Sequence, residues 1–254
     1  HAMFKACLFL CSGSVIHAMH HSLHKIHDNE TDPQNMNNMG GLRYKMPTTY
    51  YTMLIATLAI SGVPLFSGFL SKDMVLAGSL TYYLDNGGWT ILLPIAGFGA
   101  AVITAFYMFR LIFLTFFGKP ANDKIYDNIH ESPTAMTSPL VVLSILSLFF
   151  CFSFNPIATS HDDGHGQYHN YSWFTKQVEF GENVTHTIHM HDIEHHMHNN
   201  HNLTMGLSLL VAAIGIILSI IFYLLGKVNV DNLSKKLNRL KLYDISFNKF
   251  YIDE

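Results

Sequence analysis

Charged residues are scarce in this sequence: they make up 13% of its 254 residues, and the formal net charge is only -3. A net charge this small gives no indication of nucleic-acid binding, and the sequence has no stripe of basic and aromatic residues that would suggest it. Cysteine is also rare, and Cys7, Cys11 and Cys151 form no C-x-x-C pair, so the chain alone offers no cysteine-ligated cluster. A Walker phosphate-binding loop is absent too. We therefore expect no nucleic-acid partner and no cofactor or redox centre in this chain.

Apolar residues, in contrast, account for 49% of the chain and occur in long blocks. A helix that crosses a bilayer needs about 20 such residues, and each block is near or above that length. The sequence therefore predicts an all-α fold, a polytopic bundle of transmembrane helices. The five predicted spans are Ala2–Met19, Thr48–Tyr83, Trp89–Phe117, Met136–Ala158 and Leu203–Leu225.

The second block is too long for one perpendicular helix, and Gly62, Pro64 and Gly68 interrupt it near its middle. This pattern predicts a discontinuous helix made of two halves. Non-helical backbone at bilayer depth is tolerated only where it is buried in protein or lines a wet cavity. The predicted break therefore indicates a pathway through the membrane.

Lys72 and Asp73 follow this break directly. We expect Lys72 in the first turn of the second half-helix, with Ser71 as its N-cap and Asp73 placing negative charge against the positive helix end. Lys72 then has no obvious structural role, and a desolvated lysine can gain and lose a proton. The alternative, a lysine whose stem extends to the interface, is less favoured because the interface is far away.

The first block also carries ionisable residues. His1, Lys5 and Ser12 share one helical face, which we expect to point into the bundle and to mark an ion or proton route; the alternative is a solvated helix end. A second histidine face lies where this helix leaves the membrane. It could bind a metal or relay protons, but a solvated helix end is favoured. Its members are His17, His20, His21 and His24.

Lysine and arginine concentrate in loops 20–47 and 118–135 and in the tail after Gly226, which places these three segments on the inner side of the membrane. Arg110, near the end of the third block, is interpreted as an arginine that reaches the inner interface and anchors an anion there. His130 and Glu131 precede the fourth block. Capping of that block is the favoured interpretation of these two residues, and a polar contact to a neighbouring subunit is the alternative.

These observations predict four domains. Residues 1–158 form the C-terminal part of a membrane core, because residue 1 already lies inside an apolar block and the chain is expected to be part of a longer protein. Residues 159–202 form a histidine-rich loop outside the membrane, to which no defined metal site is assigned. Residues 203–225 form a transmembrane helix. Residues 226–254 form an amphipathic segment on the inner surface, leading to a lateral helix.

Five segments, in order, resemble the large antiporter-like membrane subunit of respiratory NADH:quinone oxidoreductase, known as subunit L or 5 of complex I. They cover most of residues 1–140. Their sequences are HAMFKACLFLCSGSVIHAMH, MGGLRYKMP, GVPLFSGFLSKD, TAFYMFRLIFLTFFG and HESPTAMTSPL. The resemblance implies the C-terminal part of an antiporter-like fold with a proton path.

In that family a lysine at the second broken helix releases the proton, and Lys72 matches it within FSGFLSKD. The resemblance gives His1 and Lys5 the role of relay groups on a central polar axis. Met74 stands where the family often has an acidic residue, which leaves Asp73 as the carboxylate at this position. The residues implied to carry proton translocation are thus Lys72, Lys5, His1 and Asp73.

The resemblance further implies an integral protein of the bacterial or mitochondrial inner membrane. Its expected partners are the other membrane subunits of complex I and the lipid bilayer, with no direct contact to NADH or quinone. The chain would then belong to an enzyme, a proton-translocating oxidoreductase whose redox chemistry occurs elsewhere. The alternative is the large subunit of a multi-subunit cation/proton antiporter, which uses the same fold.

Overall fold

The computed structural model describes residues 1–64, 66–148, 159–162, 168–171 and 190–226, and most of them are helical. Short 3-10 turns occur at Met36–Asn38, Leu42–Tyr44 and Gly88–Ile91, and a π-helical turn, Ile220–Leu224, extends the last helix. Two short strands, β1 (Thr159–Asp162) and β2 (Tyr168–Tyr171), pair as an antiparallel hairpin. The α-helices of this described part are α1 (Ala2–Lys25), α2 (Pro47–Ser61), α3 (Ser67–Asn86), α4 (Leu92–Phe116), α5 (Asp123–Asn128), α6 (Thr134–Leu146) and α7 (Met190–Ser219).

Three helical stretches are long and apolar enough to cross a membrane: Ala2–Lys25, Gly88–Phe116 and Leu203–Leu224. They match three of the five predicted spans. The predicted discontinuous helix is also present, as α2 and α3. The fifth predicted span, Met136–Ala158, is helical as far as Leu146, and its end lies outside the described residues.

The apolar core lies where α1 packs against α2 and α6. One face of α1 repeats small and apolar side chains at helical spacing, which is the pattern that buries a helix stripe. The buried members of this stripe include Phe4, Cys7, Cys11, Val15 and Met19. A second layer forms where α7 packs against α3 and α4.

Two of the three segments predicted to share the inner side meet at one end of the bundle. The amide of Gly41 donates to the carbonyl of Phe117 at 3.0 Å, and the hydroxyl of Ser22 donates to the carbonyl of Ile125 at 2.6 Å. Gly40 has a φ of +133°, and a Cβ there would lie 2.4 Å from the carbonyl oxygen of Lys119. Glycine is therefore required where these two loops touch. We call this end of the bundle the loop end.

The histidine-rich segment contains more regular structure than predicted. Helix α7 begins at Met190, well before the predicted boundary at Leu203, and the hairpin occupies part of the remaining segment. Helix propagation costs little once a stable helix such as 203–219 is formed, which explains the earlier start. The predicted amphipathic tail, 227–254, lies outside the described residues.

Candidate functional site

The first half of the discontinuous helix ends at Ser61, and Gly62 closes it. Gly62 has a left-handed backbone, with φ at 78° and ψ at 37°, which glycine adopts without steric cost. Its amide donates to the carbonyl of Ala59, and the amide of Val63 donates to that of Leu58, each at 3.2 Å. The carbonyl of Ser61 is left available beyond these capping bonds.

The second half begins at Ser67, whose amide donates to the carbonyl of Ser147 at 3.0 Å. Phe66 also forms an antiparallel bridge with Leu148. A Cβ on Gly68 would lie only 1.9 Å from the carbonyl oxygen of Ala59, so the first turn of α3 packs directly on the last turn of α2. The broken backbone is therefore held by protein, which is the condition for such a break at bilayer depth.

Lys72 belongs to α3, and its side chain lies at this break. Its ammonium donates to the carbonyl oxygen of Ser61 at 3.3 Å, and its stem covers Gly62, where an added Cβ would be 3.0 Å from Lys72 Cδ. The side chain is half-buried. It therefore lies at the negative C-terminal end of α2, which the sequence did not reveal because the partner is a backbone group. The expectation that Lys72 has no obvious structural role is therefore corrected, since it binds the carbonyl that ends α2.

The prediction of Ser71 as N-cap is also wrong, because α3 starts at Ser67 with Phe66 as N-cap. Ser71 and Asp73 consequently lie beyond the first turn, where neither can cap the helix. Asp73 instead turns into the protein and is 2% exposed. Its Oδ1 accepts a hydrogen bond of 2.8 Å from the hydroxyl of Ser208 on α7.

His1 contacts the same half-helix. Its Nε2 lies 2.5 Å from the hydroxyl oxygen of Ser71, and that hydroxyl also donates to the carbonyl of Gly68 at 3.3 Å. His1 is itself exposed. The structure thus connects His1 to the residue next to Lys72.

In the described part of the chain, the side chain of Lys5 does not face this site. Its side chain is exposed, whereas its neighbour Phe4 is 1% exposed. Successive residues on a helix point about 100° apart, so the stripe that buries Phe4 and Cys7 turns Lys5 outward. The expectation that Lys5 faces the interior of this bundle is therefore corrected, while its role in proton transfer stays a prediction.

Buried hydroxyl groups without partners lie on both halves of the break. Thr57, Ser61 and Thr81 are at most 2% exposed, and their hydroxyl oxygens have no hydrogen-bond partner among the described residues. Proteins commonly satisfy such groups with internal water. Ser61 also provides the carbonyl bound by Lys72, so polar groups suited to water continue from the lysine along α2.

A separate polar network closes the loop end. Glu131 Oε2 accepts the amide of Thr48 at 2.7 Å, and its Oε1 accepts the hydroxyl of Thr49 at 2.6 Å. Thr49 Oγ1 lies 3.0 Å from Ser14 Oγ, which lies 2.7 Å from Ser132 Oγ. The prediction that Glu131 caps the fourth block is wrong, because α6 has Pro133 as N-cap and no side-chain capping bond. Glu131 instead caps α2, which it reaches across the fold.

The histidine face at the end of α1 contacts the other inner loop through one ring. The ring centroids of His21 and His130 are 4.9 Å apart. The described residues include no group of three or more histidine, cysteine, aspartate or glutamate side chains placed to hold a metal ion. The histidine tracts between Thr159 and Asn202 lie outside the side chains that the structure describes.

Comparison with known families finds a match over the N-terminal part of the chain. Residues 1–104 match the transmembrane family described as NADH:quinone oxidoreductase/Mrp antiporter. This match includes α1, both halves of the discontinuous helix and Lys72. Over these residues the chain is similar to that family, and it is an integral membrane protein.

Two individual relatives are named as subunits of NADH:quinone oxidoreductases. The chain is 45% identical over 150 residues to NADH-ubiquinone oxidoreductase chain 5 of Dictyostelium citrinum, covering 59% of this chain and 20% of the relative. It is 42% identical over 160 residues to NADH-quinone oxidoreductase subunit L of Rhodobacter capsulatus, covering 58% of this chain and 20% of the relative. The predicted resemblance to subunit L or 5 is confirmed.

A third relative aligns with the whole chain. NAD(P)H-quinone oxidoreductase chain 5 of a Picosynechococcus strain is 34% identical, and the alignment covers 100% of this chain but 37% of the relative. The likeness therefore extends through α7 and the tail. The chain spans about a fifth of the length of the first two relatives, each covered to 20%.

Proposed function

We propose that this chain is part of the proton-translocating membrane subunit of NADH:quinone oxidoreductase, with Lys72 as a proton-exchanging group. The observation that carries the proposal is the position of Lys72: its amine lies in a break between two half-helices, half-buried and bonded to the carbonyl of Ser61. A family match that includes this residue supports it.

Two features of the surroundings of Lys72 have opposite effects on its charge. Partial burial favours the neutral amine, whereas the carbonyl end of α2 favours the ammonium ion. A change in a nearby charge would then shift the balance between the neutral amine and the ammonium ion. Thr57 and Ser61 supply hydroxyls that would hold water beside the amine, and Asp73 supplies a buried carboxylate one residue away.

We further propose roles for the remaining predicted residues. His1 would exchange a proton with the Lys72 region through Ser71, whose hydroxyl it contacts. Lys5, one turn further along α1, would act on the exposed face of this helix, towards a neighbouring protein segment. NADH would bind other subunits, because the sequence contains no nucleotide-binding loop, and quinone would bind elsewhere in the complex, as the resemblance implies.

The names of the relatives favour the oxidoreductase over the alternative antiporter. The matched family includes both classes, but the relatives described above are named as oxidoreductase chain 5 or subunit L. These names, from bacterial and mitochondrial sources, also support an inner-membrane location and other membrane subunits as partners.

The test uses the full-length protein in its assembly, reconstituted into proteoliposomes. Lys72→Met should lower the number of protons pumped per NADH oxidised, whereas the control Lys119→Met, at an exposed loop lysine, should pump normally. Normal pumping by Lys72→Met would refute the role of Lys72. Sodium–proton exchange without NADH, at the rate of a dedicated exchanger, would instead favour the antiporter.

A further inference from the structure

Arg110 on α4 is a charged residue that the proposed proton path does not use. It lies six residues before Phe116, the end of α4, which corresponds to about 9 Å along the axis towards the loop end. Its Nε is buried and has no hydrogen-bond partner among the described residues. The residue as a whole is half-buried, so part of the guanidinium remains accessible from outside the bundle. A partly buried guanidinium with an unsatisfied donor is stabilised by an acceptor.

The end of α7, with the π-helical turn that extends it, packs against α4 beside Arg110. Gly215 lets the two helices approach closely, since a Cβ there would lie 2.6 Å from the carbonyl oxygen of Val102 and 2.7 Å from Ala105 Cβ. Beyond this crossing, aromatic side chains separate the helices. The ring of Phe106 lies 5.9 Å from that of Tyr223, and the guanidinium carbon of Arg110 lies 5.5 Å from the Tyr223 ring centroid.

Ser219, the last residue of α7, is a second polar residue at this helix end. It lies one helical turn before Tyr223 and is therefore on the same side of the helix. Its side chain is 0% exposed, and its hydroxyl has no partner among the described residues. Two unpaired buried polar groups, one cationic, thus belong to the packing of α4 against α7.

No acidic residue of these helices can neutralise Arg110. The sequence contains neither aspartate nor glutamate between Leu92 and Phe116, nor between Leu203 and Leu225. Glu131, at the same end of the bundle, is engaged by the amides and hydroxyl at the start of α2. The counter-charge must therefore come from outside α4 and the membrane-spanning part of α7.

We propose that the guanidinium of Arg110, beside the ring of Tyr223, binds the phosphate group of an anionic phospholipid. A phosphate matches the fork of N–H donors on arginine. Arg110 lies near the loop end, towards the end of the membrane-spanning stretch Gly88–Phe116, and basic sites between membrane helices on the cytoplasmic or matrix side bind such head groups. The aromatic rings beside it suit the head-group boundary.

The experiment places the full-length assembly in phosphatidylcholine nanodiscs that contain a photoactivatable phosphatidylglycerol, and maps cross-links by mass spectrometry. Wild type should cross-link in the segment around Phe222 and Tyr223. Arg110→Gln should reduce that cross-linking about ten-fold, because a hydrogen bond to a charged group is lost, and Arg110→Lys should reduce it less. The control is Arg43→Gln, whose guanidinium stacks on Tyr44 and Phe117 at the loop end; it should leave cross-linking unchanged.

Two further arms identify the source of the phosphate. A photoactivatable phosphatidylcholine should label the segment less than phosphatidylglycerol in wild type, a comparison that does not depend on any variant. Millimolar inorganic phosphate should not compete; full competition would show a site for free phosphate and overturn the lipid assignment. Equal labelling by the two lipids, unchanged labelling in Arg110→Gln, or a partner subunit's carboxylate bonded to Arg110 would also overturn it. Proton pumping is not measured, so the result is independent of the proposed function.

Discussion

Ser208 on α7 donates a hydrogen bond of 2.8 Å to the carboxylate of Asp73 on α3, across 135 positions of sequence. Asp73 is 2% exposed and directly follows Lys72. The bond therefore ties the last described helix to the proposed proton-exchange group, and it joins a residue of the matched family segment to one outside it.

The first prediction concerns this bond. Ser208→Ala removes a donor to a buried carboxylate, a change that typically costs about 1.5–3 kcal/mol. In the full assembly we expect slower NADH-driven proton pumping and an altered pH profile of pumping, with both restored by Ser208→Thr. The control is Ser79→Ala, since the Ser79 hydroxyl bonds only to the carbonyl of Leu76 among the bonds described. An unchanged pH profile in Ser208→Ala would assign the bond a purely structural role.

The second prediction compares two glycines of α3. Gly68→Ala places a methyl group 1.9 Å from the carbonyl oxygen of Ala59, which is backbone and cannot move aside, whereas an added Cβ on Gly78 meets nothing within 4 Å. We expect Gly68→Ala to prevent stable assembly. Gly78→Ala should be neutral or stabilising, by about 0.5–1 kcal/mol. Thermal denaturation of the purified assembly measures both, and equal stability of the two variants would contradict the observed contact between α2 and α3.

The third prediction separates backbone strain from contact with Lys72. Gly62 and Gly87 both have positive φ values, 78° and 63°, but only the Cβ of the former would meet Lys72. Alanine at Gly62, in the left-handed helical region, should cost about 1 kcal/mol of strain, and alanine at Gly87, whose ψ is -165°, should cost about 1–3 kcal/mol. Pumping should fall in Gly62→Ala and persist in Gly87→Ala. If both variants pump alike, the packing of the lysine stem on Gly62 is not needed for activity.

The fourth prediction concerns the cap of α2. Glu131→Ala removes the acceptor for the amides of Thr48 and Thr49, and loss of a cap costs about 0.5–2 kcal/mol. Glu131→Gln should cost less, because it keeps one oxygen acceptor while losing the charge that favours a helix N-terminus. The control, Glu30→Ala, alters an exposed loop carboxylate. The melting temperature of the assembly should follow this order, and a Glu131→Ala variant as stable as the control would show that the cap is dispensable.

The discontinuous helix was predictable because its signal is local: Gly62, Pro64 and Gly68 interrupt an apolar block. The partners within the site were not. The carbonyl of Ser61 bound by Lys72 is a backbone group, and Ser208 lies far along the chain from Asp73, so no local pattern connects either pair. The start of α3 was misplaced because Ser71 resembles an N-cap, whereas pairing of Ser67 with Ser147 begins the helix earlier.

The outward position of Lys5 was within reach of sequence analysis. Phe4, Cys7, Cys11, Ser14 and Ala18 recur at helical spacing and define the buried stripe of α1. Lys5 lies off that stripe, and this comparison outweighs the general expectation that ionisable residues in membranes face inward. Glu131 shows the opposite case: its capping chemistry was evident, but the identity of the capped helix depends on tertiary packing.

The pairing of Phe66 and Ser67 with the backbone at the end of α6 has a mechanical consequence. Main-chain pairing joins the two residues that follow α6 to the start of α3, and Lys72 lies just beyond the first turn of α3. We expect a sliding or tilting of α6 relative to α2 to change the distance between this amine and Ser61. In the proposed function, such a movement would act on the protonation of Lys72, although α6 contributes no charge of its own.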